Sequence, residues 1–175
     1  AAGGQSGDKA VYLPSCATRV FGTSRQDDEE TRSAMEITLS LLDKAGFEVI
    51  IPEGVDRLCC GTAFNSKGQI EEAARKAGEL NCELLVASEN GRYPILMDTS
   101  PCVLHLQERL DKRLAVSEPV AFAHDHLLPR LTLSPLDERV AVHVTCSSTH
   151  MGLGEKMVAL ARACTREVWC PPTSP

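Results

Sequence analysis

Residues 11–22 read VYLPSCATRVFG, and residues 142–154 read VHVTCSSTHMGLG. Each is a short apolar run ending near a cysteine, then a polar stretch carrying glycine. β-Branched and aromatic runs of this length suit strands, and the polar residues after them suit a turn into a helix. The echo continues downstream, where Glu48-Val49-Ile50-Ile51-Pro52 is matched by Glu167-Val168-Trp169-Cys170-Pro171. Between the paired words lies a helical pattern in both copies. In the first, Met35, Leu39 and Leu42 recur near a 3.6 period, with Ile37 and Leu41 on a neighbouring stripe. In the second, residues 154–164 read as a helix. Strand, helix and strand form the unit of a parallel sheet. The sequence therefore predicts an α/β fold of two repeated Rossmann-like strand-helix-strand lobes with short parallel sheets.

Asp27, Asp28 and Glu29 suit the first turn of the first helix, and Gly46 stops it. Residues 69–82 read as a further helix with Gly78 as its weak point, and 84–88 can continue it. YPILMDTSPC is a strand running into a loop, residues 103–111 look helical, and residues 139–146 form a strand ending at Cys146. The expected division is a disordered leader at 1–9, a first lobe at 10–115, a connection with a short helix at 116–138, and the start of a second lobe at 139–175. Cys59 lies seven residues beyond Pro52, and the same offset from Pro171 falls at position 178, past Pro175. The second lobe is thus expected to be truncated before a cysteine pair of its own.

Composition excludes several functions. The 175 residues carry a formal charge of -6, so no basic field draws nucleic acid or anionic lipid. Aromatics are 4%, too few for base-stacking platforms. No apolar run approaches the roughly 18 residues of a membrane span. The opening AAGGQSGD has neither the basic nor the apolar region of a secretory signal, which points to a cytoplasmic location. Eight cysteines then stand out. Dense cysteine means a disulfide framework, metal ligands, redox thiols or buried packing. The adjacent Cys59-Cys60 pair argues against a disulfide framework, because neighbours on an extended chain point to opposite sides.

A strand-terminal Cys16, then CCGTAFNSKG at 59–68, then DTSPC at 98–102, resembles the cysteine-rich CCG domain. That domain occurs, usually in two copies, in heterodisulfide reductase subunits, glycolate oxidase iron–sulfur subunits and flavin-linked D-lactate dehydrogenases. The local words look closest to the carboxyl-terminal region of the D-lactate branch. His143 to Cys146 gives the His-X-X-Cys that opens a second copy. The resemblance spans residues 10 to 171 and implies an electron-transfer module of a 2-hydroxy-acid dehydrogenase, with a 4Fe-4S cluster on this chain and FAD on sequence preceding it. Its implied partners are the flavin domain, a ferredoxin-like iron–sulfur domain and an electron acceptor, at the inner membrane face through a partner. Thr99 stands where the family has the first cysteine of a CXXC, so the first copy has four cysteines rather than five.

Iron–sulfur clusters and structural zinc both take four thiolates. Cys16, Cys59, Cys60 and Cys102 supply them from loops that follow strands, and such loops converge in open parallel sheets. A zinc-stabilised structural or interaction module, and a Cys59-Cys60 thiol–disulfide protein, are the competing readings. Cys146 belongs to the second site, where Cys170 with His143 or His150 could complete a zinc set. Cys82 and Cys164 read as packing within helices, and Cys170 as packing at a strand end. His105 is placed to hydrogen-bond a cluster, and His124-Asp125-His126 reads as a solvated turn.

Overall fold

The strand that buries most completely is the one carrying the first repeat word. In the computed structural model, which describes residues 8–21 and 32–171, Ala10, Val11 and Tyr12 are wholly inaccessible to solvent. They lie on β1 (Lys9–Leu13), which pairs in parallel with β2 (Glu48–Ile50) on one side and β3 (Ile95–Met97) on the other. β3 is buried at every residue and pairs in parallel with β4 (Val116–Ser117). Near-continuous apolar strands are the mark of a parallel sheet covered on both faces.

The sheet order is β2-β1-β3-β4. Its connections are α1 (Cys16–Val20) and α2 (Ala34–Lys44) after β1, α3 (Thr62–Ser66) and α4 (Ile70–Ala87) after β2, and α5 (Ser100–Leu106) after β3. The chain steps outward from β1 to β2, then returns past β1 to β3, so the topology reverses between β1 and β3. Loops at the carboxyl ends of the strands on either side of such a reversal open a crevice. Cys16 and Cys102 follow those two strands.

α2 begins where Ser33 and Glu36 form a reciprocal capping box, at 2.7 Å and 3.2 Å. The acidic run Asp27, Asp28 and Glu29 lies outside the described residues. α4 runs through Gly78 without a break and extends to Ala87, burying Ala73, Ala77, Leu80 and Leu84 as one stripe. α5 starts at Ser100, earlier than 103, because Pro101 fits the first turn of a helix. Of the expected leader, residues 1–7 lie outside the described residues, and Lys9 already pairs with Glu48 in the sheet.

The chain divides into two compact units, one ending at Glu118 and the other beginning at Pro119. The second unit holds α6 (Pro119–Phe122), a π-helical turn (Ala123–Leu127), β5 (Leu136–Ala141), α7 (Cys146–His150), α8 (Gly154–Cys164) and β6 (Thr165–Trp169). β5 ends before 146, since Val144 and Thr145 lead into the α7 cap. His124-Asp125-His126 sits on the π-helical turn with Asp125 exposed, and Asp125 pairs with Lys156 of α8.

The repeat holds in register as well as in order. β1 and β2 pair Lys9 with Glu48, Ala10 with Val49 and Val11 with Ile50. β5 and β6 pair Arg139 with Glu167, Val140 with Val168 and Ala141 with Trp169, the same positions of the second copy. A basic–acidic pair stands at the same position of each repeat, at 3.2 Å for Lys9–Glu48, which opens its ladder, and 2.9 Å for Arg139–Glu167, which follows an irregularity after Leu136–Thr165. The α/β class and short parallel sheets stand as the sequence predicted. Among the described residues, no helix is long and apolar enough to cross a membrane.

Candidate functional site

Each cysteine of the first unit's expected set owes its place to a local backbone device. Ser15 caps α1 in an extended conformation (φ -65°, ψ 161°), and its hydroxyl accepts from the Thr18 N–H at 3.2 Å. Cys16 is therefore the first helical residue, exposed at the end of β1. The Ser15 N–H donates to Asp98 Oδ1 at 2.8 Å, which ties this turn to the end of β3. Asp98 is two residues from the start of α5, whose third residue is Cys102.

The Cys59-Cys60 loop turns on Gly61, which has φ 87° and precedes α3. A Cβ at Gly61 would lie 2.5 Å from the Ala73 carbonyl oxygen, so glycine is required there both for conformation and for close approach to α4. The turn aims the two thiols differently. Cys60 is buried, with Sγ 2.9 Å from Cys102 Sγ and 3.2 Å from Thr62 Oγ1. Cys59 is half-buried and accepts from the Gly61 N–H at 3.4 Å.

Cys16, Cys59, Cys60 and Cys102 line one cavity, walled by Leu13, Leu58, Leu80 and Met97 and edged by Arg19. Its free space is about 10 Å³, about the room of one water molecule. Burial pushes the Cys59 thiol up, and the neighbouring Cys60 and Cys16 add to this, while the Gly61 N–H and Lys76 oppose it. The 2.9 Å contact sets the Cys60 and Cys102 thiols apart electrostatically. A thiolate at Cys60 is held by the Cys102 S–H and lies below the usual thiol range, whereas Cys102 is pushed up, first by Cys60 and then by burial.

Soft thiols in an apolar pocket are the donor set of zinc and iron–sulfur centres. Among the described residues, no three His, Cys, Asp or Glu are already disposed around a metal position. The close pair shows what must change. Two thiolates on one tetrahedral zinc, each about 2.3 Å from it, stand about 3.8 Å apart. Cys60 and Cys102 at 2.9 Å are closer, so a shared ion needs them to separate by side-chain rotation. By donor chemistry the four thiols suit a soft metal ion, and Cys60 and Cys102 would have to move apart to share one.

In the second unit, Thr145 caps α7 (φ -70°, ψ 162°) as Ser15 caps α1, and Cys146 is again the first helical residue. Cys146, His143, His150 and Cys170 line one open groove with Glu155. Cys82, Cys164 and Cys170 are exposed, contrary to the packing expected for them. Cys82 lies off the Ala73-Ala77-Leu80-Leu84 stripe of α4. The Nε2 of His105 is buried with no hydrogen-bond partner, and burial pushes its pKa down. Asp98 and Arg19 were not singled out in the sequence. Their signals are an acidic residue closing the strand before SPC, and a basic residue three positions after Cys16.

Against this geometry, no protein-family model, curated protein or solved structure matches the chain.

Proposed function

We propose that the chain is an iron–sulfur electron-transfer module of a flavin-linked 2-hydroxy-acid dehydrogenase of the D-lactate or glycolate type. The observation that carries this reading is the convergence of Cys16, Cys59, Cys60 and Cys102 on one apolar cavity beside the β1–β3 reversal. The CCG word at Cys59–Gly61 and its likeness to the cysteine-rich domain favour iron–sulfur over zinc. A 4Fe-4S cluster supplies storage and release of single electrons. The chain's own part is to hold it through four thiolates, to exclude water with Leu13, Leu58, Leu80 and Met97, and to expose the Cys16 edge for transfer. By the same resemblance, FAD, the hydroxy-acid site and a ferredoxin-like domain are carried by other parts of the enzyme, and an electron acceptor completes the path.

A second reading is favoured by the 2.9 Å contact of Cys60 with Cys102. It makes the chain a dithiol–disulfide protein whose reactive pair is Cys60–Cys102 rather than Cys59-Cys60. Iron and acid-labile sulfide assays with a visible spectrum, on anaerobically purified protein, test both. Brown protein that bleaches on reduction supports the cluster. Colourless protein with one zinc per chain replaces it with a structural metal module. Metal-free protein carrying a Cys60–Cys102 disulfide replaces it with the dithiol reading.

A further inference from the structure

Arg19 spans two loops that the sequence separates widely. Its Nε donates to the Pro14 carbonyl at 3.2 Å and its Nη2 to the Leu58 carbonyl at 2.9 Å. Pro14 stands two residues before Cys16, and Leu58 directly before Cys59. A guanidinium is flat, and its donors diverge at fixed angles, so two bonds from one fork set the spacing of the two carbonyls. Helix α1 is held as well, because the Arg19 N–H bonds the Ser15 carbonyl at 3.0 Å. The side chain thereby links the Cys16 turn, the Cys59-Cys60 loop and the cavity wall.

The second copy keeps the cap and carries a different residue at the position of Arg19. Counting from the cysteine, Thr149 takes the place of Arg19, and its hydroxyl bonds the Thr145 carbonyl of its own turn at 3.0 Å. The cap is repeated there without the clamp. We infer that Arg19 is a positioning residue for the thiol site, holding the Cys16 turn against the Cys59-Cys60 loop so that their sulfurs face one cavity. This rests on the reading of the four thiols as one ligand set, and one arm of its test does not.

The test compares the full chain with Arg19→Gln and Arg19→Lys, each first checked for native circular dichroism. Per-cysteine iodoacetamide labelling of metal-free protein is read by mass spectrometry. Cadmium titration is then followed through the thiolate-to-metal absorption band. In Arg19→Gln, Cys59 and Cys60 label faster by about tenfold, the loss of one charge-assisted hydrogen bond, with exposed Cys82 unchanged. Cadmium affinity falls by a similar factor. Arg19→Lys keeps the charge but loses the fork, and recovers only part of both effects. Should Arg19→Gln fail to fold, Arg19→Lys against the native chain carries the same comparison. Unchanged labelling at Cys59 and Cys60 overturns the clamp, and full recovery by lysine overturns the fork. If the native chain binds no cadmium, the ligand-set reading falls while the labelling ratio still decides the role of Arg19.

Discussion

The hydroxyl of Tyr12, wholly buried in β1, donates to Asp98 Oδ2 at 2.8 Å across the parallel pair β1–β3. The other oxygen of the same carboxylate receives the Ser15 N–H at 2.8 Å and lies 3.2 Å from the Thr99 hydroxyl. One side chain thus satisfies a buried phenol and fixes the turn that presents Cys16. Asp98→Ala strands three donors, the deeply buried Tyr12 hydroxyl, the Ser15 N–H and the Thr99 hydroxyl, and is expected to cost about 2–4 kcal/mol. Tyr12→Phe leaves Asp98 its other partners and is expected to cost about 1 kcal/mol. Urea unfolding measures both, and equal losses would show that the carboxylate serves Tyr12 alone.

Tyr12 also makes stability depend on pH. Burial, then the bond to Asp98 and its negative charge, push its pKa well above the ordinary tyrosine value. An unfolded chain releases that proton near pH 10, while the folded chain still holds it. The native state then binds more protons, so the stabilisation is complete below about pH 10 and declines as pH rises further. Urea midpoints from neutral pH upward should fall more steeply in the native chain than in Tyr12→Phe. Parallel slopes would remove Tyr12 from the alkaline transition.

The repeat was legible because it is written in residues that act locally. Ser15 and Thr145 cap, Cys16 and Cys146 follow, and Lys9–Glu48 and Arg139–Glu167 pair at equivalent positions of the two repeats. Asp98 and Arg19 act over long separations, 83 residues to Ser15 and 39 to Leu58, which no periodicity reveals. Cys82 was readable and misread. Two residues past Leu80 on a helix is a rotation of about 200°, which turns Cys82 away from the buried stripe. The pairing of Asp125 with Lys156 of α8 spans 31 residues and is likewise invisible along the chain.

Cys82 faces away from the buried stripe of α4 and is exposed. An exposed thiol on a helix surface contributes little packing, so Cys82→Ser should shift stability by no more than about 0.5 kcal/mol. Cys164, exposed at the end of α8, should behave the same way. A loss several times larger in either variant would mean that the residue is covered in the folded protein.

Gly61 and Gly68 offer a matched pair. Both have positive φ, 87° and 76°, but a Cβ meets the Ala73 carbonyl oxygen at 2.5 Å in the first and nothing within 4 Å in the second. Gly68→Ala should cost about 1 kcal/mol, the strain of a left-handed alanine. Gly61→Ala adds a backbone clash and should cost clearly more, while moving the Cys59-Cys60 loop away from α4. Denaturant unfolding gives the first comparison and cadmium uptake the second. Equal costs at the two positions would show that α4 yields freely to the added methyl.

The last expectation separates neighbours in sequence from neighbours in space. Cys59 and Cys60 share a peptide bond, yet the Gly61 turn sends Cys60 to Cys102, with 2.9 Å between sulfurs. The Cys60 thiolate, favoured by the Cys102 S–H, is the nucleophile of the pair. Diamide, a two-electron azo oxidant, should be attacked first by the Cys60 thiolate, and the adjacent Cys102 sulfur should then displace the hydrazide from the Cys60 adduct, giving up its own proton to the leaving nitrogen. One S–S bond forms, and the two thiol protons and two electrons pass to the azo group, giving its hydrazine. Peptide mapping should find Cys60 joined to Cys102, with Cys59 still free to alkylate. Cys102→Ser should abolish the cross-link and leave Cys60 labelled. Saturating cadmium before oxidation should suppress coupling if the same sulfurs bind the ion, since a liganded thiolate is a poor nucleophile. A vicinal Cys59–Cys60 bridge as the main product would contradict the geometry of the Gly61 turn and return the dithiol reading to the adjacent pair.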